Sequence, residues 1–159
     1  MASSPATASY LIARLAGVQI ALPASRVIEI LRAVALAAMP GAPAIVEGAL
    51  NLRGTLVPVI DLRLRFSLTA RPNDPGDSLI VLQAASRRIA VRVETVDELE
   101  EIAAESIENP TAMSPVLARL GAVAGVAARA DGALVIYDPD AFLTQAENDA
   151  IAATLGVAT

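Results

Sequence analysis

Chemistry needs side chains that ionise, attack or bind, and this 159-residue chain carries a restricted set of them. It has no Cys and no His. Thiol nucleophiles, imidazole bases, disulfides and thiolate or imidazole metal sites are therefore excluded together. Neither a Ser–His–Asp nor a Cys–His arrangement can form within it. Lys is absent too, since all 12 basic residues are Arg. The segment Gly48-Ala-Leu-Asn-Leu-Arg-Gly54 thus lacks the Lys of a phosphate-binding loop, and its glycine spacing is neither GxGxxG nor Walker A. Carboxylates remain. Glu94, Asp97, Glu98, Glu100, Glu101, Glu105 and Glu108 lie close together. Such a run can bind a divalent cation or activate water, and Glu98 with Glu101 is the pair to test for an enzyme built on carboxylates alone. Its spacing matches no EF-hand loop, and no Gly stands where a Ca²⁺ loop must turn. A solvated strand-and-helix face fits the run better. No catalytic, cofactor-binding or metal-binding residue is assigned, and the chain is expected not to be an enzyme.

Two other charges stand in apolar surroundings, Glu29 and Arg53. A partly shielded charge usually needs a partner. Either the two pair and pin a connection between strands, or both are exposed on a binding surface; the readings are compatible. Around Glu29, Val27, Ile28, Ile30 and Leu31 are all apolar. A strand cannot hide all four on one face, because alternate side chains point oppositely. Either both faces are buried, or one pair lines an exposed groove that takes a partner helix.

The elements that must hold these residues are short. Hydrophobic residues make up 55% of the chain but aromatics only 3%, namely Tyr10, Phe66, Tyr137 and Phe142, so the core is built from Val, Ile, Leu and Ala. Net charge is −5, which repels a phosphate backbone, and stacking platforms are scarce, so no nucleic acid partner is expected. Residues 1–8 read as a flexible tail without the basic and apolar regions of a secretory signal. The longest uncharged stretch, 33–46, is too short and too broken by Pro40, Gly41 and Pro43 to insert into a membrane. A cytoplasmic protein is expected.

Strands are expected over 10–15, 20–22, 28–31, 48–52, 55–61, 78–83 and 88–93, with a tight turn at 16–19 and Pro58 calling for an edge or a bulge. Single helical turns are expected over 24–27 and 44–47, a short helix over 62–66, and a linker at 71–77. Residues 33–38 are ambiguous. Thr144 and Glu147 form a capping box for a C-terminal helix over 145–155, with Gly156 as its stop. Residues 10–22 and 79–91 share a strand–turn–strand pattern. Gly48…Gly54…Asp61 is echoed by Gly125…Gly132…Asp138. The chain therefore reads as a degenerate two-fold repeat of a small all-β module, and many short strands with regular turns point to small barrels.

The segment from Pro43 to Arg63, PAIVEGALNLRGTLVPVIDLR, resembles the signature of CheW-like domains, as does Val27-Ile-Glu-Ile-Leu31. The Asp131-Gly132 turn before Ala-Leu-Val-Ile-Tyr-Asp138 resembles the family's closing hairpin, whereas 114–128 matches weakly and 33–38 is more apolar than usual. The resemblance implies a mainly all-β fold with two intertwined, SH3-like five-stranded β-barrel subdomains in pseudo-two-fold arrangement, short helices and a C-terminal helix. It places a single domain over 9–156, its second half beginning near 78, with 157–159 as a tail. It further implies a non-enzymatic adaptor that joins the regulatory domain of a CheA-type histidine kinase to the cytoplasmic tip of a methyl-accepting chemotaxis receptor, recruited to membrane receptor arrays. An adaptor of a non-flagellar chemosensory pathway, for surface motility or biofilm control, is the alternative. Carried over by motif, the receptor groove comprises Val27, Ile28, Glu29 and Ile30, with Gly48, Asn51 and Arg53 nearby. No residue is assigned to the kinase contact, and no cofactor is implied.

Overall fold

The computed structural model describes residues 6–68, 71–109, 122–130 and 132–155. The expected tail over 1–5, the weakly matching stretch 114–121, Asp131, the Gly156 stop and the tail 157–159 lie outside them. Eleven strands are described: β1 (Thr7–Leu15), β2 (Val18–Pro23), β3 (Val27–Arg32), β4 (Val46–Leu52), β5 (Thr55–Ile60), β6 (Ser78–Gln83), β7 (Arg88–Val93), β8 (Thr95–Ala103), β9 (Ile107–Glu108), β10 (Val123–Arg129) and β11 (Gly132–Tyr137). Two α-helices join them, α1 (Leu62–Arg65) and α2 (Gln145–Leu155). Thr7 and Ala8 belong to β1, pairing with Ala103 and Ile102 of β8, so the ordered strand begins inside the stretch expected as tail. The helical turn expected over 44–47 is instead a hydrogen-bonded turn from the Val46 amide to the Pro43 carbonyl, 2.9 Å, after which β4 starts.

The strands form two sheets, ordered β8-β1-β2-β11-β10-β9 and β3-β6-β7-β5-β4. One 3₁₀ turn at Ala104–Ser106 separates β8 from β9, so the first sheet begins and ends on one stretch of chain and closes into a barrel. In the second, β3 runs on into 33–37, where Ala37 bridges Ala49 of β4 and closes that barrel likewise. The expected repeat is this architecture. β1–β2 corresponds to β6–β7, β3 to β8, and β4–β5 to β10–β11. Even details recur. Both outer hairpins shift register at a glycine, Gly48 in one and Gly125 in the other. Asp61 caps α1 by accepting from the amides of Arg63 and Leu64, and Asp138 caps the following 3₁₀ turn through the Asp140 amide.

The two halves of the chain are exchanged. The hairpin β1–β2 joins the barrel of the second half, through β8 and β11, while β6–β7 joins that of the first, through β3 and β5. These hairpins are buried on both faces, which explains their nearly unbroken apolar runs. In β6, Leu79 and Val81 point into one barrel with Leu50, Leu52, Val57, Val59 and Ala90. Ile80 and Leu82 point the other way, into a central cluster between the barrels. In β1, Ile12 likewise fills the other barrel while Leu11, Ala13 and Leu15 face the centre. Three of the four aromatics meet there. Phe66 stacks on Tyr137 at 4.5 Å, and Phe142 packs edge-on to Phe66 at 6.1 Å. Burial pushes the Tyr137 phenol up to about 12. Pro58 stands in an inner strand and not on an edge; pairing of β5 with β7 begins only at Val59, so its missing N–H forfeits no bond there.

Candidate interaction surface

Strand β3 lies at one end of its sheet and alternates strictly between half-buried and exposed residues. Val27 packs against the central cluster and Leu31 against the barrel interior. Ile28 and Ile30 turn outward and are 41% and 45% exposed. The four apolar residues therefore divide between core and surface. Val34, just beyond β3 in the chain, and Leu56 in β5 also expose about half their surface, Leu56 standing opposite the exposed Asn51 across the β4–β5 ladder.

Arg53 sits in the two-residue turn between β4 and β5. Both turn residues have positive φ, 50° at Arg53 and 87° at Gly54, the combination a tight hairpin of this twist demands. Asn51 supports the turn, its side-chain oxygen accepting from the Gly54 amide at 2.9 Å. The Arg53 guanidinium reaches β3 and donates two hydrogen bonds to Glu29, 2.9 and 3.1 Å. The bridge thus spans the seam between the first and last strands of the sheet. Its Arg53 side chain is 75% exposed and its Glu29 side chain 25%. Such an exposed pair contributes about 0.2–1 kcal/mol. Gly48 is buried; a Cβ there would lie 2.8 Å from the Ala37 carbonyl oxygen. It permits the close crossing of 36–37 over β4.

Sequence reasoning missed the counterpart of β3 in the other barrel. Ile30 pairs with Ile80 and Val27 with Leu82, across a register shift. At the equivalent rungs Leu99 pairs with Leu11 and Val96 with Ala13, across the same kind of shift. Val27-Ile-Glu-Ile30 and Val96-Asp-Glu-Leu99 are therefore the same structural feature in the two barrels. The signal was present, because extending the repeat by one strand aligns them. In the second barrel the exposed isoleucine at 28 becomes Asp97, and Leu99 is 64% exposed. The apolar contact of Leu31 becomes Glu100, whose carboxylate lies 2.6 Å from Arg129. The acidic run is accordingly a strand face and a 3₁₀ turn, with Glu98 and Glu101 both exposed. Among the described residues no three acidic side chains gather to hold a metal ion.

Other charges tie elements together. Arg26 donates two 2.8 Å hydrogen bonds to Asp140 and one to the Gln83 carbonyl. That guanidinium, aided by the Ala85 amide, outweighs burial and holds the Asp140 carboxyl below its ordinary range. Glu147 accepts from Arg65 and from the Thr144 amide, completing the expected capping box as Thr144 accepts from the Glu147 amide. Burial alone would raise the Glu147 carboxyl, but these partners lower it. Asp77 is 2% exposed; burial raises its carboxyl, and Arg71, the Asp74 amide and Arg92 together lower it. No helix among the described residues is long and apolar enough to cross a membrane.

Among known proteins, the CheW-like domain family model matches residues 9–147. The chemotaxis protein CheW of Klebsiella aerogenes is 30% identical over 105 residues, covering 66% of this chain and 63% of that protein. That of Treponema pallidum is 26% identical over 116 residues, 69% of this chain and 66% of its own length. The probable chemotaxis protein CheW of Rhizobium etli is 30% identical over 115 residues, 71% and 72%. The match thus spans slightly less than two thirds of the first two relatives. The crystal structure of the scaffolding protein TtCheW from Thermoanaerobacter tengcongensis superposes with a TM-score of 0.78 at 26% identity, covering 91% of this chain and 96% of that one.

Proposed function

The chain belongs to the CheW-like domain family, and from that premise we propose that it is a cytoplasmic, non-enzymatic adaptor that couples methyl-accepting chemotaxis receptors to a CheA-type histidine kinase. The observation that carries this reading is the surface of β3. Ile28 and Ile30 project from a terminal strand, and an Arg53 set in a strained left-handed conformation by the tight β4–β5 turn reaches that strand through its bridge to Glu29. Strain and exposed apolar area concentrate where proteins bind partners. A receptor helix laid along β3 buries Ile28 and Ile30, while Arg53 and Asn51 set its orientation. Adaptor action then needs no bond-making. Two weak surfaces on one rigid body bring receptor and kinase together, and repeated use of both gives an array its avidity. Signal passes as a coupling free energy between the two contacts.

Titration calorimetry tests this reading, with the protein titrated by the regulatory domain of a CheA-type kinase and by a receptor cytoplasmic fragment from the same genome. Binding to both is expected. Binding to the kinase alone contradicts the receptor surface, and binding to neither leaves the likeness as one of fold only.

A further inference from the structure

Each barrel is completed by strands from both halves of the chain. Four ladders cross between the halves, β1–β8, β2–β11, β3–β6 and β5–β7. Among the described residues of the first half, β1 pairs with β2, β4 with β5, and Ala37 with Ala49. None of the crossing ladders depends on the halves sharing one chain. The chain passes from one half to the other between Leu68 and Ser78, and Leu68 and Asp77 line the same pocket of about 180 Å³. Fully extended, the nine residue-to-residue steps from Leu68 to Asp77 span about 30 Å. That is long enough to leave one folded body and enter another beside it.

What folds this connection back on itself is Asp77, the one buried charged residue among those described. Its carboxylate accepts from Arg71 at 2.5 Å and from the Asp74 amide at 3.1 Å, and it stands 3.7 Å from Arg92. Gly76 donates back to Asp74 at 2.7 Å, and Asn73 to Glu47 at 3.1 Å, while Glu47 pairs with Arg92. These bonds fold 71–77 into a compact return. Exchange between two chains would open this return, breaking the bonds of Asp77 to Arg71 and to the Asp74 amide and that of Asn73 to Glu47, whereas the contacts of Arg92 with Asp77 and Glu47, every ladder and all three apolar clusters would be kept or remade.

We propose that the Asp77 cluster is a latch that closes the chain on itself, and that releasing it lets two copies exchange halves into a swapped dimer, each body made from β1–β5 of one chain and β6–β11 of the other. Exchange of identical elements through a hinge is a low-cost route to dimers. The chain's lack of Cys gives a clean readout. Ser9 and Glu101 face each other across the β1–β8 ladder, both exposed, one from each half. With Ser9→Cys and Glu101→Cys installed, oxidation yields a cross-linked monomer from the closed chain and a covalent dimer from the exchanged one, resolved on a non-reducing gel.

The pair is placed in the otherwise unaltered chain, in Asp77→Ala and in the milder Arg71→Gln, and each protein is refolded at low and high concentration. Loss of hydrogen bonds to a charged group shifts the exchange roughly tenfold or more. Asp77→Ala is therefore expected to raise the covalent-dimer fraction by about that factor over the parent at equal concentration, in a protein whose circular dichroism is unchanged. Arg71→Gln should shift it in the same direction by less, and it decides the matter if Asp77→Ala fails to refold. Folded variants that give only cross-linked monomer at high concentration overturn the proposal.

Discussion

Arg53→Gly separates the structural role of this turn from its role in binding. The native φ of 50° costs a residue with a Cβ about 1–2 kcal/mol, which glycine does not incur. Against that gain stand the lost bridge to Glu29, about 0.2–1 kcal/mol at this exposure, and the larger entropy of glycine in the unfolded chain, about 0.4–1 kcal/mol. The bond from Asn51 to the Gly54 amide is untouched. The sum lies within about 1 kcal/mol of zero, so by thermal unfolding the melting temperature stays within about 4 °C of the parent. Receptor-fragment binding by calorimetry is expected to weaken about tenfold, the equivalent of one charge-assisted hydrogen bond at an interface. Type I′ turns favour glycine or asparagine at this place, so an arginine there makes sense if its guanidinium is used. A variant that loses more than about 2 kcal/mol of stability would show that the turn depends on Arg53 for folding. One that is stable and binds receptor like the parent would refute the reasoning.

Three further outcomes follow from the fold. Gly48→Ala and Gly125→Ala should each lower stability by about 1–3 kcal/mol in denaturant titrations, because the new Cβ would lie 2.8 Å from the Ala37 oxygen in one and 2.3 Å from Ile107 Cγ2 in the other. Phe142→Ala, at a fully buried site between Phe66 and Tyr137, should cost about 3–5 kcal/mol and also weaken the aromatic near-ultraviolet dichroism. Asp77, Asp140 and Glu147 all have carboxyls lowered in the folded state. Their contribution is complete above the ordinary carboxylate range near 4 and is lost as pH falls through the lower folded values, so midpoints should be flat from pH 7 to 5 and fall steeply below about 4; Asp140→Asn should reduce that acid dependence.

Much of this architecture was legible because the repeat is written in turn residues. The glycines at 48 and 125, the caps at Asp61 and Asp138 and the doubled strand–turn–strand pattern mark places where backbone geometry restricts residue choice. The capping box at Thr144 and Glu147 was readable for the same reason. Other features depended on contacts distant in sequence. That Val46 starts a strand and not a helical turn is fixed by its pairing with Ile60. That Gly48 is buried follows from Leu36 and Ala37 crossing above it, which no local pattern records. Which pair among Val27, Ile28, Ile30 and Leu31 faces solvent was settled by the register with β6. The counterpart of β3 was obscured because Asp97 and Glu100 in β8 stand where β3 has the apolar Ile28 and Leu31, so the shared pattern is broken by charge.

The central claim is that one rigid body carries separate contacts for receptor and kinase, the receptor contact lying on β3. The most direct measurement is calorimetry of an Ile28→Asp, Ile30→Asp double variant against the receptor fragment and the kinase regulatory domain in turn. Both side chains are already exposed, so the variant should fold. Loss of measurable receptor binding is expected, with kinase affinity held within about threefold, about 0.7 kcal/mol. Receptor binding that survives in the folded variant would contradict it.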